Sequence, residues 1–326
     1  MHKGVKTALR TGVSLALLAG IMVFLVDWPR AWQVVRGGNW LLLSLLPLWM
    51  LLDRLLMSYK WRLLLTCRGY GLGHWESFKA YLLATFAGSF LPSTLGADAV
   101  RVVAVTRTSG VPSDVVAASV FLERALGFVA AALAAVMALV LLAGLTTELP
   151  RQAVYWSWGL LALGAVAILA SLSQAAGRAH RWLEEKLAGR HQLLVWTGKF
   201  LGSYHNYRGH RGVLAWVLFL SLVEQGAPVV GNWLAARALH LDLTLVQAAA
   251  VTPVAILLAR LPVSSSAFGV LEGLFVAFFG LVGLAPTGAF LLGFIQNLST
   301  LVTGIPGLFI YLAGGITLKK PPETGA

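Results

Sequence analysis

The chain has 326 residues, 58% of them hydrophobic and only 12% charged, which excludes a soluble globular protein and leaves a polytopic membrane protein. The net charge of +12 does not gather in a soluble basic patch. The bases flank apolar runs instead, which marks topology and attraction to anionic headgroups and excludes a nucleic-acid partner. A single cysteine, Cys67, rules out an intramolecular disulfide and a cysteine-based zinc site, and the seven histidines form no HExxH pair, so no metal and no cofactor is expected.

Taken in order, the apolar run over residues 8–26 reads as a retained first span, because no small-x-small cleavage site follows it. Trp28, Trp32 and Trp40 then fall in a short loop, as belt aromatics do. A second span covers about 40–59, with Asp53 and Arg54 in its last two turns, positioned to snorkel to the interface, and with Lys60 and Arg62 just beyond. A short apolar helix over 78–91 meets Pro92, which cannot continue the hydrogen-bond ladder. Ser93, Thr94, Gly96 and Asp98 suit a turn and a new helix start, placed near Asp98 and running to 109. Both arms are shorter than the ~30 Å of a bilayer core, so they read as a re-entrant hairpin.

A long span over 115–142 carries Glu123 and Arg124. Residues 156–172 form the next span. Residues 174–211 form a polar loop with an interfacial amphipathic helix. Residues 213–236 make a span with Glu224 and Gln225 near its middle and Pro228 as a kink. The broken pattern then returns. An apolar helix over 243–261 reaches Arg260-Leu-Pro262, followed by Ser264, Ser265 and Gly269, and a helix to 284 carries Glu272. The last span covers 287–318.

The expected fold is therefore one all-α transmembrane domain over 1–326. It has about six full spans and two re-entrant broken-helix hairpins, eight apolar membrane elements in all, arranged as an inverted repeat. With both termini cytoplasmic, eighteen Lys and Arg fall inside and four outside, the other three lying within apolar segments.

Charge inside a membrane costs ~2.5–3.5 kcal/mol per residue at a helix centre on insertion scales. Asp98, Arg101, Glu123, Arg124, Arg260 and Glu272 therefore require an explanation. Asp98 either caps the second half-helix or pairs with Arg101 one turn on. The arginines at the breaks suit a phosphate, which guanidinium holds in bidentate fashion, and half-helix N-termini add donors for the same anion. The alternative is that they serve as structural partners of Asp98 and Glu272. The expected headgroup site comprises Pro92, Ser93, Gly96, Asp98, Arg101, Glu123, Arg124, Arg260, Pro262, Ser264, Ser265, Gly269 and Glu272, with no catalytic and no metal-binding residue.

Leu91-Pro-Ser-x-x-Gly-Ala-Asp-x-x-Arg101, then Glu123-Arg124-x-x-Gly127, then Leu261-Pro…Gly269-Val-x-Glu272 resembles the lysylphosphatidylglycerol synthase transmembrane-region family, also called flippase-like proteins. The pattern covers the chain from about the second span to the end. Members often have Gly-Gly-Asp where this chain has Gly96-Ala97-Asp98. The resemblance implies a membrane domain that moves lipids or lipid-linked intermediates between leaflets of a bacterial inner membrane. Two-part members carry a soluble domain that attaches lysine to phosphatidylglycerol. No such domain is expected here, since the sequence stops at Ala326, and the synthase activity is not carried over.

The expected function is thus a non-enzymatic flippase-like protein acting on membrane lipids with an anionic phosphate headgroup. A polyprenyl-diphosphate phosphatase is the alternative enzyme, although Pro262-Val-Ser-Ser-Ser-Ala has no arginine among its serines. A non-transporting scaffold is the other alternative.

Overall fold

The structure, a computed structural model, describes residues 18–90, 94–147, 192–260 and 269–313, with scattered positions between 152 and 166. Among these the secondary structure is helical. In chain order it comprises α1 Leu18–Phe24, α2 Trp28–Arg36, α3 Trp40–Thr66, α4 His74–Phe90, α5 Thr94–Ser109, α6 Ser113–Leu145 and α7 Gln192–His205. A 3-10 turn, Asn206–His210, leads to α8 Arg211–Ala238, α9 Leu245–Ala259, α10 Val270–Gly280 and α11 Pro286–Leu312.

Four of the described helices are long and apolar enough to cross a membrane: α3, α6, a run Gly198–Ala238 ending in α8, and α11. The bent pair α1–α2, which turns by 93°, raises the number to five. Most of the span expected over 156–172, the start of the first span and the tail beyond 313 lie outside the described residues, as do positions 174–191 of the polar loop. From α3 to α6 and again from α8 to α11, a long helix is followed by two short ones and then a long one. The short pairs are α4–α5, of 17 and 16 residues, and α9–α10, of 15 and 11. At 1.5 Å per residue each is about 25 Å or less, below the ~30 Å hydrocarbon thickness.

Local chemistry explains several boundaries. Asp27 accepts a hydrogen bond from the Arg30 N–H at 3.1 Å and Pro29 sits in the first turn, so the tryptophan-rich segment expected as a loop is helix α2. Thr244 and Gln247 form a reciprocal capping box at the start of α9, and Gln247 Nε2 also donates to the Val282 carbonyl at 3.1 Å. α5 begins at Thr94 rather than near Asp98, so Asp98 lies in its second turn. α3 runs on to Thr66, which places Asp53 and Arg54 in mid-helix. Asp53 is 8% exposed, so the snorkelling expectation is overturned for it. Lys60, expected as a flanking interfacial cation, is buried and donates to Ser221 Oγ at 3.0 Å.

The described residues group into two compact units, and α3, α6, α8 and α11 each contribute to both. Unit one contains residues 1–53, 131–159 and 223–303. Its core combines the alanine-rich face of α9 (Ala248, Ala250, Ala255) with Phe275 and Phe279 of α10, whose rings meet edge to face at 5.0 Å. Small residues permit close helix crossings where polar groups alone would not drive them. A Cβ at Gly293 of α11 would lie 3.0 Å from Glu272 Cα. Unit two contains 54–130, 160–222 and 304–326. Its core includes Trp61, Leu65, Tyr81, Val105 and Val116, with a second cluster around Leu64, Leu122 and Tyr207. There α11 returns at Gly307, where a Cβ would collide with the Leu82 carbonyl of α4.

Candidate functional site

The expected residues fall into two groups, one in each unit. In unit two, α4 and α5 pack together, and Ala97 rests against Gly88, where a Cβ would be 3.1 Å from the Ala97 methyl. Ala97 is thus a helical contact residue inside α5, not part of a turn. Asp98 follows at once, and α5 presents it on the same face as Arg101 one turn on.

Arg101 is 1% exposed. Its Nη1 lies 2.8 Å from Glu123 Oε2 of α6 and its Nη2 donates to Asp98 Oδ1 at 3.3 Å. The guanidinium packs against two rings that meet edge to face at 6.0 Å, 4.6 Å from the centroid of Trp61 and 4.5 Å from that of Tyr81. The Tyr81 hydroxyl donates to the other Glu123 oxygen, and Trp61 Nε1 donates to Ser119 Oγ at 3.0 Å. Arg101 and Glu123 therefore each have an opposite charge beside them. That is the condition for burying ions at tolerable cost.

Arg124 follows Glu123 in α6, and adjacent helical residues point about 100° apart. Glu123 faces inward at 3% exposure, whereas the Arg124 side chain is 52% exposed. Asp98 holds it as a fork, with Nε donating to Oδ2 and Nη2 to Oδ1, both at 2.9 Å. This contact uses one edge of the guanidinium. Nη1 makes no hydrogen bond to a described residue. The four ions Asp98, Arg101, Glu123 and Arg124 sum to zero.

Unit one holds Arg260, Gly269 and Glu272. Arg260 is the exposed C-cap of α9. Gly269 has φ +86°, a backbone region costly for any residue with a Cβ, and opens α10. Glu272 is fully buried. Its Oε2 accepts the Gly269 N–H at 2.7 Å and its Oε1 accepts from Asn297 Nδ2 of α11 at 2.9 Å. It closes the start of α10 and ties it to α11. Gly96 is half-buried in α5. Pro92, Ser93, Pro262, Ser264 and Ser265 lie outside the described residues.

Sequence reasoning missed Tyr81, Trp61 and Ser119 around Arg101, and Asn297 beside Glu272. It also missed Asn232, which donates to Gln296 Oε1 at 2.5 Å and to the Pro228 carbonyl at 3.0 Å. The Lys60-Trp61-Arg62 run looks like an interface in sequence. The apolar Leu63–Leu65 stretch after it was the available sign that the helix continues.

Long apolar helices, short broken pairs and a buried ion cluster define a multi-pass α-helical membrane protein. The family profile described as lysylphosphatidylglycerol synthase TM region matches residues 12–307, and the chain belongs to that family. Comparison with curated proteins and with solved structures finds no match.

Proposed function

We propose that this protein binds a phospholipid headgroup at the Arg124–Asp98 pair and carries the lipid between leaflets without altering it chemically. The observation that carries the reading is the half-exposed Arg124 side chain, oriented by a carboxylate on its Nε–Nη2 edge and with Nη1 left without a hydrogen bond to a described residue. Guanidinium is suited to phosphate, and an exposed arginine inside an apolar helix has a cost that a bound phosphate offsets. Membership of a lipid-related membrane family supports the same reading. Arg101, enclosed by protein, acts here as the anchor for Asp98 and Glu123 rather than as a headgroup ligand. The long-short-short-long order of helices, present twice, is consistent with the inverted repeats of transporters. The excess of Lys and Arg on one set of loops favours a bacterial inner membrane protein with both termini cytoplasmic.

The test reconstitutes the full chain in proteoliposomes and follows leaflet exchange of a tail-labelled phospholipid. Arg124→Gln should abolish the protein-dependent exchange while leaving abundance near normal, because Asp98 keeps its Arg101 contact. Exchange equal to wild type in Arg124→Gln would remove this pair from the function. Release of phosphate or of a free headgroup during exchange would replace the transport reading with an enzymatic one.

A further inference from the structure

We infer that the headgroup taken at Arg124 is zwitterionic, a phosphate joined to a primary ammonium, rather than a net anion; this rests on the reading of Arg124–Asp98 as the headgroup site. The argument begins from the charge balance. An arginine pair near a helix break suits an anion only if positive charge is in excess. Here Arg101 is matched by Glu123, and Arg124 by Asp98. In the inner pair one Glu123 oxygen lies 2.8 Å from Arg101 Nη1 and the other accepts the Tyr81 hydroxyl; in the outer pair both Asp98 oxygens accept from Arg124.

A net anion added to this neutral cluster leaves an uncompensated charge in a region of low dielectric, which is strongly disfavoured. A zwitterion adds none. The donor inventory matches as well. Nη1 of Arg124 offers N–H groups to phosphate oxygens. Asp98 Oδ2 accepts one hydrogen bond, from Arg124 Nε, whereas Oδ1 accepts from both arginines. A carboxylate oxygen has two lone-pair sites, so Oδ2 retains capacity for a donor. The Asp98 side chain is 13% exposed, and Oδ2 is bonded on the Nε side of the guanidinium, across from Nη1, so phosphate and ammonium would sit at opposite sides of the fork. A primary ammonium donates N–H bonds there, and a quaternary ammonium cannot. The site is therefore a dipole whose positive end is Arg124 and whose negative end is Asp98, and it pairs with the opposite dipole of an ethanolamine-type headgroup.

The experiment measures equilibrium binding of tail-labelled phosphatidylethanolamine, phosphatidylcholine and phosphatidylglycerol to the full-length protein in neutral detergent micelles. Phosphatidylethanolamine should bind about tenfold or more tightly than phosphatidylglycerol, the size expected for one charge-assisted contact. Phosphatidylcholine should be weaker than phosphatidylethanolamine. Asp98→Asn leaves the cluster with a net positive charge and should invert the order, raising phosphatidylglycerol above phosphatidylethanolamine. The wild-type comparison needs no variant to fold. Arg124-dependent binding with phosphatidylglycerol equal or tighter would overturn the zwitterion assignment and leave Arg124 as the phosphate ligand. Equal binding of the choline and ethanolamine lipids would remove the ammonium–Asp98 contact and the assignment with it. Binding of all three that ignores Arg124→Gln would sink the headgroup site itself.

Discussion

Asp98 grips Arg124 through both carboxylate oxygens at 2.9 Å while one of the same oxygens reaches Arg101 at 3.3 Å. One aspartate thus couples an enclosed arginine to an exposed one, and α5 to α6. The two arginines carry the same charge yet do different work. The inner one is enclosed by protein against Glu123, and the outer one has a half-exposed side chain, which the proposed function makes the headgroup ligand. This difference decides what each substitution should do.

Removing Arg101 strands Glu123, a buried carboxylate left with only the Tyr81 hydroxyl. Breaking one partner of a buried ion pair typically costs 3–5 kcal/mol. Arg101→Ala should therefore lower membrane abundance and thermal stability. Arg101→Met with Glu123→Leu, which removes both charges and keeps volume, should recover much of the loss. Thermal unfolding of the purified single and double variants checks this. Wild-type stability in Arg101→Ala would mean that the cage around Arg101 contributes little.

How much of this was legible in the sequence depends on which interactions are local. The Asp98–Arg101 contact follows from one-turn spacing, and the break after α4 from the chemistry of Pro92. Glu123 and Arg124 were legible as charges needing partners. Which of the two faces inward was not, because that depends on the rotation of α6 against α4 and α5. Tyr81 carried no signal, since a tyrosine in an apolar helix matches any core position. Asp27 and Pro29 are helix-start signals, but the tryptophans around them drew the segment toward an interfacial loop. Lys60 and Trp61 imitate the end of a span in sequence, and only the packing of α3 shows both to be buried.

The helix crossing at Gly307 gives a sharp contrast with the motif glycine Gly127. A Cβ at Gly307 would collide with the Leu82 carbonyl and lie 2.8 Å from Phe86 Cβ, whereas one at Gly127 meets nothing within 4 Å. Gly307→Ala should destabilise by at least ~1–3 kcal/mol, the usual cost of overpacking. Gly127→Ala should be neutral or stabilise by up to ~1 kcal/mol through helix propensity. Paired measurements of melting temperature check both signs. If Gly127→Ala lost lipid exchange at normal stability, its glycine would be functional rather than structural.

Glu272 is expected to be a structural residue. It accepts the Gly269 N–H and the Asn297 amide, so Glu272→Ala leaves two buried donors without acceptors. An unsatisfied buried donor costs about 1–3 kcal/mol. Glu272→Gln retains one acceptor oxygen and should lose less. A double-mutant cycle with Asn297→Ala should show coupling, read from unfolding of the four proteins. Full additivity would show that the Glu272–Asn297 bond is absent in solution.

Topology can be tested by cysteine labelling, for which Cys67 sets the baseline. It follows the last residue of α3, and its Sγ–H donates to the Leu64 carbonyl at 3.2 Å. Burial pushes its thiol pKa up, against the smaller opposing effect of Arg68. The thiolate is the reactive form, so a raised pKa lowers the reactive fraction at neutral pH. Alkylation of Cys67 should be slow at pH 7 and should accelerate as pH rises past the ordinary thiol range. With Cys67→Ser as background, a membrane-impermeant maleimide should label Gln192→Cys only from the cytoplasmic side. Two of the eighteen bases expected inside, Lys60 and Arg101, are buried in the protein and carry no topological signal; the expected orientation rests on the sixteen that remain against four. Labelling of Gln192→Cys from outside alone would reverse that orientation.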